Sequence, residues 1–110
     1  MSGENWIRIA GYAAPEDLPE EKPVEIEAGF RKICLLRRGK EVFAFSDRCP
    51  HAGAALCEGH TDRRGHLVCP LHGYRFELSR GYNSSGEGYK LKTFPIEIRE
   101  NGIFVALPYA

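Results

Sequence analysis

Two short segments constrain this 110-residue chain more than anything else in it. Cys49-Pro50-His51 and Cys69-Pro70-Leu71-His72 each set a thiol beside an imidazole, with a proline directly after the cysteine. Both side-chain types are strong ligands for iron and zinc. Neither segment holds enough donors for a metal site alone, so a fold that uses them must bring both loops together across the seventeen residues between His51 and Cys69. Proline has no N–H to donate and fixes φ, which helps to hold a tight loop. Gly53 and Gly73 follow the histidines, where a bulky side chain would crowd a bound metal.

The rest of the chain reads as the β scaffold for such loops. "VEIE" (24–27) alternates apolar and charged residues, the pattern of a half-buried strand. "RKICLL" (31–36) and "EVFAFS" (41–46) are apolar runs joined by "RRGK", which predicts a hairpin turning at Gly39. "TFPIEI" (93–98) predicts a strand with Phe94, Ile96 and Ile98 on one face. Asn101-Gly102 then leads into "IFVAL" (103–107), a hairpin signal of type I′ with positive φ at both central residues. "WIRI" (6–9) predicts a further strand, and "PEDLPEE" (15–21) one helical turn between Pro15 and Pro23. All four histidines and three of the four cysteines fall within residues 47–90, between these strands. Loops on a rigid scaffold are a usual place for function.

Composition and charge narrow the function classes. The length fits one domain, and no apolar run reaches membrane-spanning length. A formal net charge of zero argues against general nucleic-acid binding. Six acids against one base in residues 16–27, and five bases with no acid in residues 31–40, read either as a docking surface or, preferably, as solvated loop and hairpin tip. The N-terminus lacks a basic region followed by an apolar stretch, so a cytoplasmic protein is expected. Disulfides are then not expected. Cys34, inside a strand pattern, reads as a buried small hydrophobe, and Cys57 as an uninvolved thiol. His60 and His66 read as surface histidines.

Two thiolates and two imidazoles suit either a tetrahedral zinc ion or a two-iron, two-sulfide cluster. The mixed loops favour the cluster. Cys49 and Cys69 can bind one iron and His51 and His72 the other, each loop supplying one ligand to each metal. This is the motif of the Rieske iron–sulfur proteins, and the chain resembles that family from about Val24 onward. "CPLHGYRFEL" followed by Arg80-Gly81 is similar to the family's second loop and hairpin, and "FPIEIRENGIFV" to its closing strands. The resemblance implies an all-β, Rieske-like β-sandwich over residues 1–110, with an inserted cluster-binding subdomain at about 47–90.

It also implies a 2Fe–2S cofactor and a potential that can be bracketed. Two ferric ions, two sulfides, two thiolates and two neutral imidazoles sum to zero charge, so adding an electron is easier than in an all-cysteine cluster. As a class property, such centres span roughly −150 to +300 mV, against about −400 mV for plant-type ferredoxins. High-potential members carry an extra cysteine in each loop, and the matching positions here are Ala54 and Leu71. They also place a Ser and a Tyr after the second loop, where this chain has Tyr74 and Phe76. With fewer hydroxyls to donate to sulfur, a low-potential centre is expected. A family Gly-Pro segment is replaced by "SSGEGYK", with Glu87 near the proline's place. No nucleotide fingerprint or mononuclear iron motif is visible, so the chain reads as an electron carrier rather than a complete enzyme. The expected partners are a reductase and a terminal oxygenase or reductase, with no nucleic acid and no membrane. The alternatives are the small subunit of an assimilatory nitrite reductase and a zinc-stabilised interaction module.

Overall fold

The apolar runs on either side of Gly39 build the centre of the molecule. The computed structural model describes residues 4–29, 31–49, 55–70, 73–83 and 90–108. Strands β1 (Glu4–Arg8), β2 (Val24–Ala28), β3 (Arg31–Arg38) and β4 (Glu41–Ser46) come first. Three two-residue strands follow, β5 (His60–Thr61), β6 (Leu67–Val68) and β7 (Arg75–Phe76). The chain closes with β8 (Thr93–Phe94), β9 (Ile96–Arg99) and β10 (Gly102–Pro108). All strand pairs are antiparallel, in sheets ordered β2-β3-β4-β8, β1-β10-β9 and β5-β6-β7. The one helical turn expected near residue 15 is a 3-10 turn, Pro15–Asp17.

The run Ile33-Cys34-Leu35-Leu36 is buried without a break, because β3 is covered on both faces. Successive side chains point to opposite sides of a strand. Ile33 and Leu35 join an aliphatic core with Val42, Ala44, Ile103 and Val105. Cys34 and Leu36 join a second core with Phe45, Cys49, Cys69 and Phe76. The β2-β3-β4-β8 sheet is therefore a middle layer. On one face it packs against β1-β10-β9, and on the other it carries the small sheet and its loops.

Two sequence expectations are corrected. Residues 93–98 form two strands, not one: β8 pairs with β4, and after Pro95 the chain crosses to pair β9 with β10. Proline has no N–H for a continuing ladder, and the crossing leaves Ile98 47% exposed. The β9–β10 hairpin has Glu100 and Asn101 as its two loop residues, since Arg99 pairs with Gly102. Asn101 has no positive φ, so this is not the type I′ turn. Gly102 takes φ +147°, where a Cβ would lie 2.8 Å from Arg8 Nε. The charged stretches 16–27 and 31–40, finally, face each other. Glu20 bonds Arg37 at 2.8 Å, Glu21 bonds Arg38 at 2.9 Å and Glu25 approaches Lys32 at 3.9 Å. These three pairs lie within the chain, and the hairpin tip at Gly39 (φ +62°) is tied down by Glu20.

Candidate metal centre

Both cysteine-bearing loops are pinched at their bases by backbone hydrogen bonds. Arg48 bridges Ala55, and the Leu56 N–H donates to the Asp47 carbonyl at 3.1 Å. In the second loop the Cys69 N–H donates to the Tyr74 carbonyl at 2.8 Å, and the Gly73 N–H to the Cys69 carbonyl at 3.0 Å. Gly73 has φ +72° and a Cβ there would meet nothing within 4 Å, so the turn itself requires glycine. Past β7, the "RG" hairpin forms as the motif suggested. The Glu77 N–H donates to Tyr82, and the Gly81 N–H back to Glu77. Gly81 lets Leu91 approach so closely that a Cβ would overlap its carbonyl oxygen.

The structure sorts the four cysteines into two pairs. Cys49 and Cys69 form no disulfide, are 2% and 1% exposed, and both line the second core. Phe76 and Leu56 are fully buried in the same core, and Tyr74 packs against it. His51 and His72 lie outside the described residues, as do Ala54, Leu71 and Glu87. Cys34 and Cys57 are joined in a disulfide with Cα atoms 5.7 Å apart. This corrects the reading of Cys34 as a plain hydrophobe and Cys57 as an uninvolved thiol. Cys34 points from β3 into the second core, and Cys57 sits in the 3-10 turn Leu56–Glu58 that follows the first loop, so the fold places them face to face. Connectivity of this kind is not deducible from spacing.

The remaining polar groups cluster in the β5–β6 turn. Asp62 Oδ1 accepts the N–H groups of Arg64 and His66 at 2.9 Å, and its Oδ2 lies 3.1 Å from His66 Nδ1 and 3.2 Å from Arg75 Nε. The His66 N–H is the largest cause of a carboxyl held at about 2, with the His66 ring and the Arg64 N–H adding to it against partial desolvation. His60 is exposed on β5, and His66 is engaged by Asp62, in line with surface histidines.

The model of the Rieske [2Fe–2S] domain matches residues 8–95. The chain belongs to the Rieske [2Fe–2S] family. It is 34% identical over 101 residues to the 3-phenylpropionate/cinnamic acid dioxygenase ferredoxin subunit of Shigella flexneri, covering 90% of this chain and 94% of that one. A chain of the solved complex of reduced oxygenase and oxidised ferredoxin in carbazole 1,9a-dioxygenase is 28% identical, with a TM-score of 0.77 and 92% of each chain covered. A structure assigned as the small subunit of an NADH-dependent nitrite reductase from Mycobacterium tuberculosis has a TM-score of 0.81, covers 97% of this chain and 98% of that one, and is 21% identical, a likeness of fold. As a Rieske protein the chain takes a 2Fe–2S cofactor and works by one-electron transfer, which removes the zinc module. The donor chemistry fits. A Rieske cluster needs two thiolates, and two cysteines outside the disulfide lie buried in one core. Among the described residues no helix is long and apolar enough to cross a membrane.

Proposed function

We propose that Cys49, His51, Cys69 and His72 hold the cluster, the cysteines on one iron and the histidines on the other. The chain then serves as the ferredoxin component that carries electrons from a reductase to an oxygenase. The sorting of the cysteines carries this reading: of four cysteines, the two in the motif stand outside the disulfide, and both reach the same apolar core. Residues 1–110 act as one Rieske domain, with 47–90 as its cluster-binding part, and the place of action is the cytoplasm. The likeness to a dioxygenase ferredoxin subunit across nearly its whole length supports the carrier role.

When bound, the cluster accepts and releases one electron at a time. The chain's residues set the terms. Leu56, Leu67 and Phe76 exclude water from the cysteine side, which makes added negative charge costlier. Phe76 has no hydroxyl to donate toward sulfur. Both effects push the potential down.

An anaerobic redox titration followed by electron paramagnetic resonance tests the reading. A histidine-ligated signal that appears only at low potential is expected. The same signal at the positive end of the class range would keep the ligands and overturn the account of their surroundings. Zinc without iron in freshly isolated protein would overturn the ligand proposal. Co-purification with a large sirohaem protein would replace the oxygenase by a nitrite reductase as the partner.

A further inference from the structure

The β5–β6 turn and β7 form an open surface cavity of about 420 Å³ lined by Asp62, Arg63, Arg64, His66 and Arg75. Its charge is strongly one-sided. Asp62 is the only acid among the lining residues, and its carboxylate is taken up by two N–H groups, the His66 ring and Arg75. Arg63 and Arg64 are exposed, and among the described residues no acid pairs with either. Arg75 stays 52% exposed beside its ion pair with Asp62. In the basic stretch 31–40, by contrast, Lys32, Arg37 and Arg38 are each paired with an acid of 16–27.

At Arg75 the cavity adjoins the second cysteine loop. Arg75 stands opposite Val68, the residue before Cys69, and directly after Tyr74, whose carbonyl closes the second loop. A partner seated on these arginines would lie beside the proposed cluster. Guanidinium groups recognise carboxylates in a planar, two-point fashion.

We propose that this arginine cavity is the docking point for a carboxylate-rich segment on the surface of the electron-donating reductase. The proposal rests on the carrier reading above. An electron gained by the carrier lowers the charge beside the cavity by one. An acidic surface therefore binds the oxidised carrier in preference to the reduced one. That is the order a donor needs, since it must seize the oxidised form and let the reduced form go. An oxygenase needs the reverse order.

The test uses the holo-protein and a hexaglutamate peptide as probe. At low salt, titration is followed by nuclear magnetic resonance of the backbone and arginine Nε–H signals, on oxidised and on dithionite-reduced protein. The expected result has shifts centred on residues 62–66 and 75 and tighter binding to the oxidised form. It also has a loss of about tenfold in affinity with Arg63→Glu/Arg64→Glu, and steep weakening with salt. Shifts elsewhere, or affinity untouched by the double variant, would overturn the docking site. Equal or tighter binding to the reduced form would overturn the reductase as occupant. Inorganic phosphate displacing the peptide at equal concentration would make the cavity a small-anion site instead. Arg63→Gln/Arg64→Gln, which adds no repulsion, guards against misfolding in the reversed variant. Iron content and the redox titration are read on the same samples. Intact cluster with no peptide binding sinks this proposal alone, whereas protein without cluster sinks the carrier reading beneath it.

Discussion

The two cores of this molecule share one sheet and little else. The aliphatic core is lined by Ile, Leu, Val, Ala and Phe alone, drawn mainly from strands β2, β3, β4 and β10. The second core takes Cys34, Leu36 and Phe45 from the far side of the same sheet. It meets them with Cys49, Leu56, Leu67, Cys69, Phe76, Leu78 and Leu91, which sit on two-residue strands, turns and loops. The first core can rest on ladder hydrogen bonds and buried area. The second has too little regular structure for that, and its sulfurs supply what is missing: one covalent link to β3 and the two thiols proposed as cluster ligands. One side of the protein is built to fold, and the other to be completed by bonds that a folded scaffold makes possible.

The largest test of this contrast removes a ligand. Cys69→Ala or His72→Ala should abolish the visible spectrum and the bound iron. The β2-β3-β4-β8 and β1-β10-β9 sheets should stay folded, as read by far-ultraviolet circular dichroism. Retained colour in either variant would break the ligand assignment. Collapse of both sheets would show that the aliphatic core does not stand alone.

Neighbouring residues on β3 allow a finer cut. Leu35 faces the aliphatic core and Leu36 the cysteine-bearing one, and both are fully buried. Truncation to alanine should cost about 2–5 kcal/mol in either case, measured by denaturant unfolding. Only Leu36→Ala should also speed the loss of iron to a chelator. Equal chelation rates would mean that the two cores are coupled more tightly than their separate packing suggests.

The Cys34–Cys57 link comes next in size. It closes a loop of 23 residues, for which a chain-entropy estimate gives about 3 kcal/mol. Cys57→Ser should lose that stability in oxidised protein and match the parent under a strong thiol reductant. A thiol count on denatured, oxidised apoprotein should find two reactive thiols in the parent. A count of four would remove the link.

How far the sequence itself carried this picture follows the same division. Strands β2, β3 and β4 were legible because alternation and apolar runs are local signals, and the paired Cys-His motif was legible because its spacing is unusual. The end strands were legible too, but not their pairing: Trp6 pairs with Ala106, a contact that no local pattern announces. Pro95 hid a change of sheet inside what read as one strand, because the alternation of Phe94, Ile96 and Ile98 runs through it. The Cys34–Cys57 pair was missed for a related reason. It joins a strand to a turn on one face of the middle sheet, and only the fold brings them near. Arg63, Arg64 and Arg75 were likewise ordinary charges in the sequence. They became a site only when Asp62 drew the turn and β7 together.

That aspartate gives the smallest and most local test. Its carboxyl is held at about 2, below an ordinary value of 3.8, chiefly by the His66 N–H. A depressed carboxyl favours the folded turn at any pH above the ordinary value, and the benefit is lost as pH falls through about 2. Between pH 5 and pH 3 an unperturbed aspartate would take up most of a proton, whereas Asp62 should remain almost wholly ionised. Carbon-detected titration of its carboxyl should therefore be nearly flat over that window. The amides of Arg64 and His66 should stay protected throughout it. Asp62→Asn should expose both amides and release Arg75 from its ion pair, yet leave the aliphatic core and its unfolding midpoint close to the parent, because exposed ion pairs contribute little to global stability. A midpoint near 3.8 in the parent would mean that the turn is not clamped, and that the arginines beside it are held by something other than Asp62.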